Sequence, residues 1–339
     1  MPPTILDIAR EAGTSKSTVS RYLNGGSVGK ETLAAIEHAI EKLGYAPNVN
    51  ARRLVSHQSR TIGVVLDDIS DYIYGAVLSG IQQVAREHGY VCTFFSRLPT
   101  HATEASYLEL FQSRQVDGLI FATFRRRDPD EVARLARSGH PIVLIGEHAG
   151  LLPLPSVDVD NVSGTLKEVS HLIALGHRRI AYLAGPETMS ASASRLRGYQ
   201  KALDLNGIPQ EEALVAQTGW TVDEGCRAAK RLLSQTQFTA LVGSNSFCTY
   251  GAARALQEAG LRIPEDVALA AFDDDILCAY TNPPLTTLAQ PFRRMGSIAV
   301  EQLVLLMRGE TDVYSTIYVQ PKLVIRESSG GKDRRPKEV

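Results

Sequence analysis

Two rhythms of hydrophobic and polar positions divide the chain. From residue 4 to residue 45 apolar side chains recur at helical spacing in three short blocks: Ile5, Ile8, Ala9 and Ala12, then Val19 and Leu23, then Ile36, Ala39, Ile40 and Leu43. Thr4 with Asp7 makes a capping-box-like start, Gly13 breaks the first block, Ser15 is placed to cap the second, and the third stops at Gly44, before Pro47. The pattern predicts three short helices. A polar, basic link follows, PNVNARRLVSHQSR over 47–60, and beyond it the period changes. Short β-branched runs alternate with amphipathic helical stretches: TIGVVLD (61–67), YVCTFF (90–95), VDGLIFAT (116–123), PIVLIG (141–146), RRIAYLAG (178–185), LVAQTG (214–219), TALVGSN (239–245) and DVALAAFD (266–273). They are apolar throughout instead of alternating, as strands covered on both faces are. A strand–helix rhythm sustained over roughly 270 residues predicts doubly wound parallel sheets. SVDVDN (156–161) starts the series again halfway along, which predicts two similar lobes with a cleft between them, and the closing SSGGKDRRPKEV (328–339) reads as a disordered tail.

Composition narrows the class. With 339 residues, 44% hydrophobic and 22% charged, the chain has ordinary globular composition and room for two or three domains. The formal charge of −1 conceals an asymmetry: residues 1–60 hold eight Lys/Arg against five Asp/Glu, net +3, and the remainder holds 28 against 32, net −4. A basic end on an acidic body points to a polyanionic partner for that end. Cys92, Cys226, Cys248 and Cys278 are scattered, with no CxxC pair and no His at metal-ligand spacing, and read as free thiols in a reducing compartment. Met1 runs straight into a capped polar helix and no apolar run approaches ~18 residues. Neither a signal peptide nor a membrane span is expected, and the protein is expected in the bacterial cytoplasm.

The segment GTSKSTVSRYLNGG, Gly13 to Gly26, carries the first chemistry. A helix, a turn at Gly13 and a second helix opening with small polar residues is a helix-turn-helix arrangement, whose second helix lies in the DNA major groove. Short Ser and Thr side chains let the backbone approach the duplex and can donate to phosphates or bases, while Lys16 and Arg21 supply charge-assisted contacts. The string D-I-A-x-x-A-G-x-S-x-x-T-V-S-R-x-L-N, Asp7 to Asn24, closely resembles the helix-turn-helix of the lactose-repressor (LacI/GalR) family of bacterial transcription regulators. The resemblance continues through E-K-L-G-Y-x-P-N (Glu41–Asn48) and N-x-x-A-R-x-L (Asn48–Leu54), then across a body similar to periplasmic binding proteins to about residue 327.

That resemblance implies roles. Lys16 and Ser17 stand where members read base edges; Ser15, Thr18, Ser20, Arg21, Asn24, Thr32 and Tyr45 match positions contacting the backbone or adjoining bases. Ala51 and Leu54 match the hinge helix, whose leucine wedges into a central minor-groove step. Thr4, Asn48 and Arg52 complete the DNA-facing set. Gly29 departs from the usual capping Ser, at little cost for a glycine cap. The hinge over 48–56 makes about two helical turns, too short to be stable alone in water. It is expected to order only against DNA and a second copy of itself.

In open α/β sheets ligands bind beyond the carboxyl ends of the strands. Those ends hold Asp67, Glu147, Trp220, Asn245 and Asp273, acceptors plus one aromatic plate, a set that suits a polyhydroxylated ring. The resemblance implies an overlapping set: Arg195 in S-R-L-R-G-Y as the arginine that grips effector, Asn245, Asp273, Trp220 and Gln290, with Asp67 and Tyr74 on the first-lobe side. Ser246 after Asn245, Ala271 before Phe272, Gly146 beside Glu147, and Asp71-Tyr72-Ile73-Tyr74 in the first loop all depart from the family's pattern, so the ligand's identity does not carry over. Arg125, Arg126 and Arg127 either face an anionic effector or form a solvated turn paired with Asp128 and Asp130.

The division expected is a helix-turn-helix domain at 1–46, hinge and linker at 47–59, and an effector-binding and dimerisation domain at 60–327. Its first lobe spans about 60–159 and 291–318, its second about 160–290 and 319–327. No phosphate-cradling GxxxxGK[ST], HExxH or nucleophile elbow is present, and Asp273–Asp275 is too local for a hard-cation site. The expectation is therefore a non-enzymatic regulator without metal or cofactor. As a homodimer it would bind pseudo-palindromic operator DNA and answer to a sugar or glycoside, and act as a repressor of carbohydrate-utilisation genes. Corepression by a nucleobase or sugar acid is the alternative, and a sugar receptor without DNA function is the alternative of another class.

Overall fold

Gly13 and Ser15 between them fold the head. The computed structural model describes residues 3–23, 26–45, 58–70, 72–96, 104–146, 154–310 and 316–330, and the chain divides into two units, Met1–Ser59 and Arg60–Val339. In the first unit, α1 (Ile5–Glu11), α2 (Lys16–Leu23) and α3 (Lys30–Leu43) are the three expected helices. The Asp7 carboxylate reaches back to accept from the backbone N–H (2.9 Å) and hydroxyl (2.7 Å) of Thr4. Gly13 turns the chain at φ +61°, and the Ser15 hydroxyl accepts from the Thr18 N–H at 3.1 Å to cap α2. Ile8, Ala9, Val19, Ile36 and Ala39 are the buried core, with Tyr22, Leu23, Leu43 and Tyr45 packed against it. Asn24, and the hinge and linker from 46 to 57, lie outside the described residues.

The second unit is built on two six-stranded sheets. The first contains β1 (Thr61–Leu66), β2 (Val91–Ser96), β3 (Gly118–Ala122), β4 (Ile142–Ile145), β5 (Ser156–Val159) and β11 (Thr316–Val319), in the order β11-β5-β4-β3-β1-β2, all parallel. The second contains β6 (Ile180–Ala184), β7 (Val215–Gln217), β8 (Ala240–Gly243), β9 (Ala268–Phe272), β10 (Thr286–Ala289) and β12 (Lys322–Val324), in the order β12-β10-β9-β8-β6-β7. Only β12 is antiparallel to its neighbour.

Helices cover both faces of each sheet. Those of the first are α4 (Tyr72–Glu87), α5 (Glu104–Gln112), α6 (Pro129–Arg137) and α11 (Phe292–Met307). Those of the second are α7 (Asn161–Ala174), α8 (Ser190–Leu205), α9 (Val222–Gln235) and α10 (Ser246–Glu258). β1, β3, β4, β6, β8 and β9 are buried along their whole length, which is why they read as unbroken apolar runs.

Three readings need correction. SVDVDN does not open the second series: β5 pairs with β4 and β11 in the first sheet, and the second begins after α7, at β6. β10, β11 and β12 escape an apolar-run reading because they are short and carry polar residues. Thr286 and Thr287 of β10 are nevertheless buried, their hydroxyls donating to the Arg326 carbonyl (2.9 Å) and the Asp274 carboxylate (2.8 Å). The tail expected to be disordered from residue 328 is ordered through Gly330, and 331–339 lie outside the described residues. Ser328 and Ser329 are buried because their hydroxyls close the exposed groups of β9 and β10: Ser328 donates to the Leu269 carbonyl (2.6 Å) and accepts from the Thr286 N–H (2.8 Å).

Candidate functional site

The head presents α2 with its outer face intact. Ser15, Lys16, Ser17 and Arg21 are exposed, Thr18 and Ser20 half-buried, and Val19 alone on this helix is fully committed to the core. The Ser15 hydroxyl sits 2.7 Å from that of Ser17 and 2.8 Å from that of Thr18, so a connected hydroxyl cluster stands at the helix N-terminus, where backbone N–H groups favour anions. α2 carries no acidic residue, and neither Lys16 nor Arg21 enters an ion pair among the described residues. The Tyr22 hydroxyl donates to Glu37 of α3 at 3.2 Å, which fixes how α2 is carried. Thr4 is exposed and bonded to Asp7, while Thr32 and Tyr45 are half-buried at the two ends of α3. Asn24, Asn48, Ala51, Arg52 and Leu54 lie outside the described residues.

The body holds a cavity of about 540 Å³ between its lobes, at the carboxyl ends of the strands. Arg195 forms its floor. Its Nε donates to Asn161 at 2.9 Å, one Nη donates to the Ser244 carbonyl, and the guanidinium carbon lies 3.7 Å from the Phe272 ring centroid and 5.6 Å from that of Trp220. Asp273 stands 3.9 Å from it and accepts from Gln290. The backbone of Asp273 is left-handed, φ +74°, the kind of strained position that gathers at binding sites. Burial raises the Asp273 carboxyl above its ordinary range while Arg195 draws it down. Asn245 caps α10, its Oδ1 accepting from the Cys248 N–H at 2.9 Å, and its amide N–H₂ donates to the Trp220 carbonyl at 3.5 Å. The Trp220 indole N–H donates to the Ser244 hydroxyl at 3.3 Å, fixing the ring as a wall.

Five of the eight expected effector residues thus meet: Arg195, Trp220, Asn245 and Asp273 with Gln290. Asp67 and Tyr74 do not line the cavity. Asp67 accepts from the Phe124 N–H (3.1 Å), and the buried Tyr74 hydroxyl accepts from the Asp67 N–H (3.2 Å), so both brace the loop that carries Phe124. Glu147 lies outside the described residues. Tyr72, Ile73, Phe124, Phe247 and Phe292 also line it, with Ser70, Ala191, Thr221 and Val222, and were missed because they begin helices or loops beyond the strand ends. Their apolar character at polar helix starts is the signal that could have found them. Tyr72 and Phe247 approach to 5.8 Å across the cleft.

The arginine triplet is split: Arg125 and Arg126 are exposed, and Arg127 alone turns inward. Arg127 is buried, donates to the Thr123 hydroxyl and stacks 5.1 Å above Phe121; Arg125 faces Asp67 at 3.9 Å. Asp128 is spent instead on capping α6, accepting from the Asp130 N–H at 3.0 Å. The triplet's backbone clasps the other lobe: the Arg126 N–H donates to the Thr188 carbonyl (2.8 Å), and Arg125 bridges Met189. The Ser190 hydroxyl donates to the carbonyls of Gly146 (2.6 Å) and Phe124 (3.1 Å).

Comparison with known proteins bears on the family and the fold. Residues 4–48 match the family described as bacterial regulatory proteins, lacI family, and residues 169–329 match the periplasmic binding protein-like domain. The HTH-type transcriptional regulator DegA of Bacillus subtilis (strain 168) is 32% identical over 332 residues, 97% of this chain and 98% of that one. A lac repressor dimer bound to operator and the anti-inducer ONPF superposes with a TM-score of 0.85 at 29% identity, covering 97% of this chain and 99% of that chain. A complex of the transcriptional regulator CelR with cellobiose gives 0.73 at 30% identity, covering 96% and 99%.

Proposed function

This chain belongs to the lacI family of bacterial regulatory proteins: it is a DNA-binding transcriptional regulator and not an enzyme, and from that premise we propose that it is a dimeric repressor whose operator affinity is set by a sugar-like effector in the interlobe cleft. The observation that carries the effector reading is the cleft floor. Arg195, Asn245, Asp273 and Gln290 offer donors and an acceptor at one level, and Trp220 offers a flat apolar face. A sugar ring presents hydroxyls at its rim and C–H groups on its faces, and meets both demands. The aromatic mouth of Tyr72, Phe124, Phe247 and Phe292 suits a second ring, as in a disaccharide or glycoside.

On the head, Lys16 and Ser17 read base edges, and Ser15, Thr18, Ser20, Arg21, Asn24, Thr32 and Tyr45, with Thr4 and Asn48, hold the backbone. Ala51, Arg52 and Leu54 add DNA contacts from the segment that links head and body. Two heads on a two-fold axis read half-sites about one helical turn apart. A second copy is favoured by the apolar patch at the 3₁₀ turn Ile276–Ala279, where Ile276, Leu277 and Tyr280 are 77%, 54% and 80% exposed. Such a regulator works where the chromosome is, in the cytoplasm; among the described residues no helix is long and apolar enough to cross a membrane. Thermal-shift screening of sugars, sugar acids and nucleobases tests the effector class: stabilisation by neutral sugars or glycosides supports it, and stabilisation by sugar acids or nucleobases alone replaces it.

A further inference from the structure

α7, whose first residue Asn161 accepts from Arg195 of the cleft floor, also buries an acid. Glu168 lies on the inner face of α7 with Thr165, Val169 and Leu172 and is 0% exposed. Neither of its carboxyl oxygens has a hydrogen-bond partner, and the hydroxyl of Tyr182, in the middle of β6, has none either. α7 and α8 are in tight contact beside it, where a Cβ on Gly198 would strike the Val162 carbonyl and Thr165. Arg195, three residues before Gly198, and Asp273 are the charged groups whose fields reach the Glu168 carboxyl.

A buried polar atom left without a partner destabilises the fold, more so when charged. Val169 and Leu172 on the same helix face show that apolar side chains suit this layer, so folding alone gives no reason for an acid there. We propose that Glu168 is a positioning residue of the effector site, setting from the core side of Arg195 and Asp273 the electrostatic potential that the effector meets. This rests on the effector reading above and deepens it.

Burial pushes the Glu168 carboxyl well above the ordinary carboxylate range; Arg195 pulls it down and Asp273 pushes it further up. With Glu168 uncharged, Arg195 and Asp273 balance, and the floor favours a neutral ligand. Ionised, Glu168 adds a second negative charge behind them, draws on Arg195 and drives Asp273 toward its protonated form. Effector, which displaces water from the floor, sharpens those costs, so effector and the Glu168 proton bind together. The other titratable groups around this carboxyl stay neutral: Tyr182 on β6, Tyr199 on α8 and Cys248 on α10 are all raised, chiefly by burial. On α7 itself Lys167 is exposed and His171 is lowered by burial; β10 has no titratable side chain, and Lys322 of β12 is exposed.

Thermal unfolding and effector titration of the full-length protein and of Glu168→Gln, from about pH 6 to about pH 9, test this. Burial raises the folded carboxyl above its unfolded value, so wild-type stability falls as pH rises past the ordinary carboxylate range, until the raised folded value is passed. Glu168→Gln should therefore melt above the wild type, with a gap that widens with pH. Titrated with cellobiose and with the sugar that most stabilises it, the wild type should lose affinity toward alkaline pH. The loss should be about tenfold for each pH unit by which effector raises the Glu168 pKa. Glu168→Gln should show a flat profile over the same range, and so should Glu168→Met, which fills the space without an acid. A profile in either variant parallel to the wild type would overturn the proposal alone. A wild type stabilised by no sugar would overturn the effector reading, and this proposal with it.

Discussion

The two lobes share a topology and divide the labour at the cleft unequally. The second supplies the polar floor, Arg195, Asn245 and Asp273, with Trp220 and Phe247 as walls and Ala191 and Val222 between; the first supplies Tyr72, Ile73, Phe124 and Phe292, an apolar cover with Ser70 as its one polar residue. A ligand's hydroxyls would thus be read almost wholly by one lobe, and its apolar faces would draw the other down. That division lets one small molecule do two things, select by hydrogen bonding and close by burial, and the clasp from Phe124–Arg126 to Thr188–Ser190 holds the two lobes together meanwhile.

Breaking the polar side should have the largest effect. Arg195→Ala leaves Asp273 buried without its cation, which should cost about 3–5 kcal/mol of stability and remove effector binding. Calorimetric titration with denaturant unfolding checks both, and retained binding would move recognition out of the second lobe. On the apolar side, Phe124→Ala should weaken effector binding about tenfold, close to the ~1.5–3 kcal/mol of a buried large side chain less what stays exposed. Selectivity among sugars of similar size should survive; a change in selectivity would show that the first lobe also reads hydroxyls. Smallest is the clasp. Ser190→Ala removes the hydroxyl that joins the loops after β3 and β4 to α8, worth about 0.5–1.5 kcal/mol. Small-angle scattering should show a more open body and titration a few-fold lower affinity, and an unchanged scattering profile would deny the clasp its role.

The head's three helices were legible because the turn at Gly13 and the cap at Ser15 are local chemistry. The strands were legible wherever both faces are covered, as in GLIFA of β3. β10 was not, because its buried threonines are satisfied by Arg326 and Asp274, partners that only the tertiary fold brings near. SVDVDN was read as the restart of the series, although the lobe division at 159 already left β5 in the first lobe: a sequence declares a strand but not which sheet will pair with it. At the cleft, reading strand ends found Trp220, Asn245 and Asp273, but placed Asp67 in a lining that Phe124 occupies instead. Glu168 was invisible: beside Lys167 in TLKEVS it has the look of a solvated helix face, and only the packing of α7 against α8 turns it inward.

The measurement that tests the account most directly is operator affinity with and without effector. Binding of the full-length protein to the DNA upstream of its own gene would be followed by fluorescence anisotropy at fixed salt, while the sugar that best stabilises it is titrated in. The account predicts that saturating effector changes affinity roughly 5–150-fold, with release marking an inducible repressor. A sugar that stabilises the body yet leaves operator affinity unchanged would contradict it.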